Sequence, residues 1–232
     1  MLPVVLVPGL LCSAEVFAPQ IAALWPHGPV TVASTFEGAT IADIASAILA
    51  AAPPRFALGG ISMGGYICLE IMRQAPERVA KLALLDTSAR ADTAEQTAKR
   101  RDAVAAARAG DFLALAVEAS KAQLHPAHKD DARLLDINRR MAAAVGLDGY
   151  ARQIDAIIGR SDSRPGLAAI AVPTLVLVGD TDTLTPPALA EELAAGIPHA
   201  RLVVVPHCGH LSTLEQPDAV NRALVEWMML PG

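Results

Sequence analysis

Short apolar runs alternate with segments of helical periodicity along most of the chain. Six runs of aliphatic and β-branched residues have the length and flanking turn residues of buried strands: residues 2–7, 30–35, 56–61, 81–86, 174–178 and 201–205. Amphipathic helices are predicted from Thr40, with Asp43 completing a capping box, to the pair Pro53-Pro54, and over residues 64–74, 187–195 and 218–229. This alternation predicts an α/β fold with a mostly parallel six-stranded sheet and helices on both faces.

The alternation is interrupted once, between residues 88 and 166. This segment has no convincing strand, and it carries charge clusters such as KRRD and HKDDARLLD. Helices are predicted from a capping box at Asp92 and Glu95 to near Gly110, and over residues 112–124, 130–145 and 148–158. Because the segment is too long for a single crossover helix, we predict a helical lid at 88–166, inserted into a core of residues 1–87 and 167–232. Alternatively, these helices only cover one face of the sheet.

Composition and charge exclude several classes of function. Of the 232 residues, 53% are hydrophobic and 19% are charged, which is typical of a globular protein with one sizeable core. The net charge of −5 and the lack of a basic run disfavour nucleic acid and anionic membranes as partners. The N-terminal segment MLPVVLVPG has no positively charged region, and its apolar run is too short for a signal peptide or a membrane span.

Cys12, Cys68 and Cys208 are the only cysteines. Their odd number argues against a disulfide framework, and they lack the spacing of metal ligands. We therefore expect a reduced, cytoplasmic protein without a metal or organic cofactor.

The segment GISMG at residues 60–64 matches the G-x-S-x-G pattern of a nucleophile on a tight strand-to-helix turn. Glycines two residues before and after Ser62 let the strand and helix approach closely. Such a turn lifts the hydroxyl above the sheet, and the N–H of Met63 opens the helix, where negative charge is favoured. Ser62 is the candidate nucleophile and Met63 a candidate oxyanion donor. The alternative is a Gly-Ser turn without chemistry.

A serine nucleophile needs a base and an acid that orients the base. His210 lies in the loop after the last predicted strand, and we prefer it as the base over His207, which is nearer the turn. Asp182 and Asp180 follow the preceding strand, and Asp182, which reaches further out, is the preferred acid. The remaining histidines are interpreted as solvated surface residues: His27, His125, His128 and His199.

Three motifs together, GGISMGG, GDTDTLTP and CGHLSTLEQP, resemble those of the α/β-hydrolase superfamily across nearly the whole chain. Their order, Ser then Asp then His, is the order of that family. The resemblance supports Asp182 as the acid and implies that the first strand here is the family's third, without the usual N-terminal hairpin. It also implies that the second oxyanion donor is the N–H of Leu10, in a loop where Pro8 replaces the family's usual histidine.

The resemblance implies a serine hydrolase that cleaves small or medium acyl esters through Ser62, His210 and Asp182. The segment GLLCSAEVF is similar to the matching loop of carrier-protein methyl ester esterases. Enol-lactone hydrolases and C–C bond hydrolases share the same triad and are alternatives. A non-catalytic binding module on the same fold is a further alternative.

A carrier protein is acidic and would need a basic docking patch on this chain. Four arginines of the predicted lid could form one: Arg100, Arg101, Arg139 and Arg140. The simpler interpretation is that they form a solvated face. The expected partner is therefore a small-molecule ester or a related acyl compound, and the sequence does not indicate an oligomeric state.

Overall fold

A single sheet of six parallel strands organises the chain. The computed structural model describes residues 1–231, and the strands pair in the order β2-β1-β3-β4-β5-β6. All neighbouring strands are parallel. The strands are β1 (Val4–Val7), β2 (Val30–Val32), β3 (Phe56–Ile61), β4 (Val79–Leu85), β5 (Thr174–Gly179) and β6 (Arg201–Val205). The predicted α/β class and six-stranded parallel sheet are confirmed.

Helices cover both faces of the sheet. They are α1 (Ala18–Leu24), α2 (Ile41–Ala51), α3 (Met63–Gln74), α4 (Ala94–Ala109), α5 (Phe112–Gln123), α6 (Ala132–Ile158), α7 (Pro187–Gly196), α8 (Ser212–Glu215) and α9 (Pro217–Met229). Residues of α2, α3 and α7 form the core on one face, and residues of α1 and α9 form it on the other. With helices on both faces, every residue of the central strands β3, β4 and β5 is buried.

The caps of α2 and α4 test the two predicted capping boxes. Thr40 and Asp43 form the box of α2, with both reciprocal hydrogen bonds at 3.0 Å. The box predicted at Asp92 and Glu95 is wrong by one residue, because Thr93 is the cap and its hydroxyl accepts from the Gln96 amide at 3.1 Å. The carboxylate of Asp92 instead turns inward, towards two arginines described below.

Helices α4, α5 and α6 lie between β4 and β5, in the segment predicted as a lid. The helices predicted at 130–145 and 148–158 form the two parts of α6. They are separated by a kink at Gly146, whose φ of 70° and ψ of 168° are not helical. Glycine accepts this backbone conformation without a side-chain clash. The division into a core and a separate lid stays a prediction.

Some elements differ from the expected ones. Strand β2 ends at Val32, three residues early, and β4 ends at Leu85, so Asp86 lies beyond the strand. Helix α1 was not expected, since it has only 7 residues and carries Pro19 in its first turn, where proline is tolerated. Within residues 1–231, no helix combines the length and apolarity needed to cross a membrane.

Candidate active site

Ser62 occupies a strained turn between β3 and α3. Its φ of 54° and ψ of −118° lie outside the regions that L-residues usually adopt. The amide of Ser62 donates to Leu85 O of the neighbouring strand at 2.9 Å, which holds the turn at the carboxyl edge of the sheet. The turn therefore presents the Ser62 side chain above that edge.

The glycines around Ser62 are required by close backbone packing. A Cβ on Gly60 would lie 2.6 Å from the Cys68 sulfur, and one on Gly64 would collide with the carbonyl of Val7. A Cβ on Gly65 would overlap the Thr87 side chain, whose hydroxyl donates to Ser62 O at 2.8 Å. Strand β1, the turn and the segment after β4 are thus fixed against one another.

His210 bridges Ser62 and Asp182. Its Nε2 lies 2.9 Å from Ser62 Oγ, and its Nδ1 lies 2.8 Å from Asp182 Oδ2. His210 is only 2% exposed. Burial alone would lower the pKa of His210, but the adjacent Asp182 carboxylate outweighs it and raises the pKa above its usual value. The structure brings together the three residues that the sequence predicted as nucleophile, base and acid.

The carboxylate of Asp182 is held by several donors besides His210. Its Oδ1 accepts from the amides of Leu184 and Thr185 at 2.8 and 2.9 Å, and its Oδ2 accepts from the Thr185 hydroxyl at 2.8 Å. Burial raises the pKa of Asp182, but the charge of His210 and these hydrogen bonds give a net lowering. Asp182 is therefore ionised and fixed in orientation.

His207 and Asp180, the two alternatives, lie elsewhere. Asp180 accepts hydrogen bonds from the amides of His207 and Cys208, both at 3.0 Å, and so braces the start of the His210 loop. The exposed His207 ring stands edge-on against the His125 ring, with 5.7 Å between centroids. Neither side chain hydrogen-bonds to Ser62 or His210.

Met63 directly follows Ser62 at the start of α3, and Leu10 lies in the loop after β1. A Cβ on Gly9 would be 3.3 Å from Ser62 Cβ, so the loop after β1 packs directly against Ser62. Within residues 1–231, neither the Leu10 N–H nor the Met63 N–H donates a hydrogen bond to the protein. Both remain available to a ligand, as an oxyanion hole requires.

Gln153 of α6 braces the loop that carries Leu10. Its Oε1 accepts from the Leu11 amide at 3.0 Å, and its Nε2 donates to Thr35 O at 3.2 Å. Leu11 has a φ of 58°, an uncommon conformation for a leucine that this contact helps to maintain. The sequence contained no signal for this contact, because the partners lie 142 residues apart.

A cavity of about 590 Å³ opens onto Ser62 and His210. Helices α4, α5 and α6 supply much of its lining, including Phe112, Leu115 and Ile154. Most of this lining is apolar, which suits an aliphatic group. Among the described residues, no group of three His, Cys, Asp or Glu could hold a metal ion.

Two buried carboxylates near His210 were missed at the level of sequence. Asp86 follows β4 directly and accepts hydrogen bonds from the Gly179 amide at 3.1 Å and from the Ser212 hydroxyl. Burial, and then the charge of Asp182, raise its pKa to about 8. An acid directly after an apolar strand, at the same edge as Ser62, is the signal that could have found it.

Glu215, the second of these carboxylates, organises the loop that carries His210. Its Oε1 accepts from the amides of Gly209 and Leu211 at 3.1 and 3.3 Å. Its Oε2 accepts from the His125 amide at 2.8 Å and lies 3.0 Å from His128 Nδ1. His128 is therefore not a purely solvated residue, as had been expected.

A family model for the alpha/beta hydrolase fold matches residues 3–217 of the chain. The chain belongs to the α/β-hydrolase family. It is 32% identical over 206 residues to a Mycobacterium tuberculosis protein named as a non-heme bromoperoxidase, covering 81% of this chain and 73% of that one. It is 31% identical over 183 residues to pimeloyl-[acyl-carrier protein] methyl ester esterase of Nitrosomonas europaea, covering 72% and 68%.

Solved α/β-hydrolase structures superpose on almost the whole chain. A thermophilic esterase from Thermogutta terrifontis is 30% identical, with a TM-score of 0.88 over 98% of this chain and 89% of that one. The enol-lactonase from Burkholderia xenovorans is 27% identical, with a TM-score of 0.89 over 99% and 92%. The predicted resemblance to this family is confirmed, and its related members include esterases and enol-lactonases.

Proposed function

We propose that this α/β-hydrolase is a serine hydrolase of the carboxylesterase type (EC 3.1.1) that cleaves small or medium acyl esters. The observation that carries the proposal is the hydrogen-bonded series from Ser62 Oγ through His210 to Asp182, with 2.9 and 2.8 Å between partners. This series faces a largely apolar cavity of about 590 Å³. Similarity to an esterase of known structure supports the same reaction class.

In the proposed mechanism, Ser62 Oγ attacks the acyl carbonyl carbon while His210 Nε2 takes the hydroxyl proton. The bond from the acyl carbon to the alcohol oxygen then breaks, and His210 returns the proton to the departing alcohol. Water attacks the acyl-enzyme with His210 again acting as base, which releases the acid and regenerates Ser62. Asp182 keeps the proton on Nδ1 and stabilises the imidazolium that forms.

The oxyanion of each tetrahedral intermediate is assigned to the amides of Leu10 and Met63. Both N–H groups are unengaged within residues 1–231, and Met63 is the first residue of α3, where the helix dipole favours negative charge. Loss of one such donor typically costs about 3 to 4 kcal/mol of transition-state stabilisation. The reaction uses only groups of this chain and water.

Residues 88–166 are proposed to act as a lid over this site. Helices α4, α5 and α6 lie in this segment and supply much of the apolar lining, so they would set which acyl groups fit. A cytoplasmic location is part of the proposal, and it rests on three unpaired, buried cysteines. The proposed partner is a small-molecule ester.

Lactone hydrolysis is the second candidate. The similarity to the Burkholderia xenovorans enol-lactonase favours it, since both reactions begin with serine attack on an ester carbonyl. In a lactone the leaving oxygen stays attached to the acyl group, so no alcohol leaves at the first step. C–C bond hydrolysis and a non-catalytic binding role are weaker alternatives, because no observation favours them specifically.

Initial rates on p-nitrophenyl esters from acetate to decanoate would test the proposal. We expect turnover by the wild type, with a chain-length optimum set by the cavity, and a loss of up to about a million-fold in Ser62→Ala. Ser46→Ala, which changes an exposed serine on α2, is the matched control. Activity of Ser62→Ala within about tenfold of wild type would reject Ser62 as the nucleophile.

A wild type that is inert on every ester would exclude a simple esterase. Enol lactones would then be the next substrates, since their hydrolysis uses the same three residues. A site-directed covalent probe adds an independent readout, because a fluorophosphonate labels a serine only when the base activates it. Labelling of wild type but not of Ser62→Ala would support an activated Ser62 even without a known substrate.

A further inference from the structure

Two arginines in the wall of the cavity share one aspartate, Asp92. Arg100 Nε lies 2.7 Å from Asp92 Oδ2, and Arg160 Nη1 lies 2.7 Å from Asp92 Oδ1. The three side chains are 20%, 6% and 1% exposed for Arg100, Arg160 and Asp92. The prediction that Arg100 belongs to a solvated face is therefore wrong. A largely enclosed cluster with two positive charges and one negative charge has a net charge of about +1.

Arg160 has more hydrogen-bond partners in the protein than Arg100 has. Arg160 also donates to the carbonyls of Arg90 and Ile157, both at 3.0 Å, and its guanidinium lies 4.2 Å from the centre of the Tyr66 ring. Within residues 1–231, Arg100 Nη1 makes no hydrogen bond, and its Nη2 has only a contact of 3.5 Å with Asp92. Arg160 Nη2 also has no protein partner among these residues, but Arg100 keeps the larger number of donors for a ligand.

Arg100 and Arg160 both line the cavity that contains Ser62. Two further cations, Arg90 and Lys99, also line it, and they pair with Glu192 and Glu95. No aspartate or glutamate is among the described residues that line this cavity. A ligand therefore meets positive charge at this wall and apolar side chains over most of the rest.

The Arg100 side chain is 20% exposed and lines the cavity, so a ligand can reach its unpaired Nη1 donors. A carboxylate is a suitable additional partner, since it accepts from two guanidinium N–H groups in the plane of the fork. Tyr66 lies one helical turn after Ser62 and lines the same cavity while it stacks on Arg160, so the cluster and the nucleophile face one ligand space. An apolar chain between ester and carboxylate matches the rest of the lining.

We propose that the substrate is an ester whose acyl part ends in a carboxylate, such as a half-ester of an aliphatic dicarboxylic acid, and that Arg100 binds this carboxylate. The inference rests on the proposed function and narrows its substrate class. We place the carboxylate on the acyl part because this part stays bound through both acylation and deacylation. A contact between Arg100 and this carboxylate therefore positions the acyl group in both steps. The alcohol has to leave after the first step.

The test compares matched ester pairs. The mono-p-nitrophenyl esters of the diacids from succinate to suberate are paired with p-nitrophenyl esters of monoacids of equal chain length, from butanoate to octanoate. For each pair the readout is the ratio of kcat/KM for the carboxylate ester to kcat/KM for the neutral ester. A hydrogen bond between charged groups typically strengthens an interaction by about tenfold or more. We therefore expect the wild-type ratio to exceed about ten for at least one chain length.

Variants of α4 assign this preference to one side chain. Arg100→Gln should lower the ratio by about tenfold or more, and Arg100→Lys, which keeps the charge without the planar fork, should retain part of it. Arg101→Gln is the matched control, since it removes the same charge from the next residue of the same helix, which is exposed and does not line the cavity. Circular dichroism spectra verify that each variant is folded.

A wild-type ratio near one at every chain length would overturn the inference and leave the proposed function intact. A ratio that Arg100→Gln leaves unchanged, or that Arg101→Gln lowers equally, would overturn it as well. If no ester is turned over, the proposed function fails first, and calorimetric binding of hexanoate and hexanamide decides the inference. Tighter binding of hexanoate that is lost in Arg100→Gln would uphold the carboxylate site, and equal binding of the two would reject it.

Discussion

The carboxylate of Asp86 accepts a hydrogen bond from the hydroxyl of Ser212, two residues after His210. Because Asp86 also accepts from the Gly179 amide at 3.1 Å, it joins the ends of β4 and β5 to the segment that follows His210. No basic side chain hydrogen-bonds to it among the described residues, so burial and the charge of Asp182 raise its pKa to about 8. Asp86 is therefore protonated over much of the neutral range.

The raised pKa of Asp86 predicts that stability falls as pH rises. The unfolded protein ionises Asp86 above its usual pKa near 4, whereas the folded protein keeps the proton up to about pH 8. Over this window the folded state binds more protons, so the free energy of unfolding decreases with pH, by up to about 1.4 kcal/mol per unit. The Asp86→Asn variant has no group at this position that can ionise. From pH 5 to pH 8, its free energy of unfolding should therefore increase relative to that of wild type.

Urea unfolding at several pH values between 5 and 8.5 measures this difference. Asp180→Asn is the control, because the pKa of Asp180 is shifted in the opposite direction. Burial raises this pKa, but amide donors and nearby histidines lower it overall. The effect of Asp180 on the free energy of unfolding therefore changes with pH only in more acidic solution. A difference between wild type and Asp86→Asn that stays constant over the range would contradict a protonated Asp86.

Asp182→Asn should reduce kcat by about ten-thousand-fold, because an amide favours the wrong tautomer of His210 and cannot stabilise the imidazolium. In the wild type, the raised pKa of His210 places the acidic limb of the kcat/KM profile above the pH expected for a free imidazole, since only the neutral base accepts a proton. Activity thus falls as pH decreases through that pKa. In the variant the limb should move to lower pH.

The pH profile on a p-nitrophenyl ester checks both statements in one experiment. Asp180→Asn serves again as the control, because Asp180 contacts the same loop without contacting His210. A variant profile with an unmoved acidic limb would argue that Asp182 does not control the charge of His210.

Thr185 donates its hydroxyl to Asp182 Oδ2 at 2.8 Å and lies 3.3 Å from His210 Nδ1. Thr185→Val keeps the shape but removes this donor, and we expect kcat to fall by about tenfold through a less well oriented acid–base pair. Thr185→Ser retains a hydroxyl and should recover most of the activity. Equal losses in the two variants would instead indicate that packing of the methyl group is what matters.

The sequence allowed Ser62, Asp182 and His210 to be named because each follows a recognisable apolar strand, and parallel strands bring their carboxyl ends to one edge. The preference for Asp182 over Asp180 rested partly on the resemblance to the α/β-hydrolase family. It did not reveal Asp86, Glu215 or Gln153, since their roles depend on partners far along the chain. The capping box of α4 was misplaced because Asp92 and Thr93 are both good caps. In the structure Thr93 is the cap, and Asp92 pairs with Arg100 and Arg160, which the sequence did not reveal.

Glu215 gives a prediction about the loop that carries His210. In Glu215→Gln one carboxylate oxygen becomes an NH2 group, which then faces backbone donors at Gly209 and Leu211 or at His125. Because buried donors left without an acceptor cost about 1–3 kcal/mol, we expect unfolding free energy to fall by about 2–3 kcal/mol and activity to fall with it. Glu226→Gln, in an exposed pair with Arg201, is the control and should have a much smaller effect.

Lys81 holds the end of α9 at the edge of the sheet opposite the candidate active site. Its Nζ donates to the carbonyls of Trp227 at 3.3 Å and Met228 at 2.9 Å, and also to that of Leu230. The residue is only 5% exposed. This burial disfavours the charged form and lowers the pKa of the ammonium group. A cation at the C-terminal end of a helix satisfies carbonyls that have no partner within the helix.

Lys81→Met keeps the apolar stem but removes these bonds, so we expect the free energy of unfolding to fall by about 2–3 kcal/mol. Because Lys81 lies near the start of β4 and Ser62 follows the end of β3, kcat should stay within about twofold of wild type while the protein is folded. Urea unfolding and ester turnover on the same sample measure both quantities, with Lys121→Met, a more exposed lysine paired to Asp130, as the control. An unchanged unfolding free energy in Lys81→Met would indicate that water replaces the ammonium group at the end of α9, and that α9 is held by its apolar face alone.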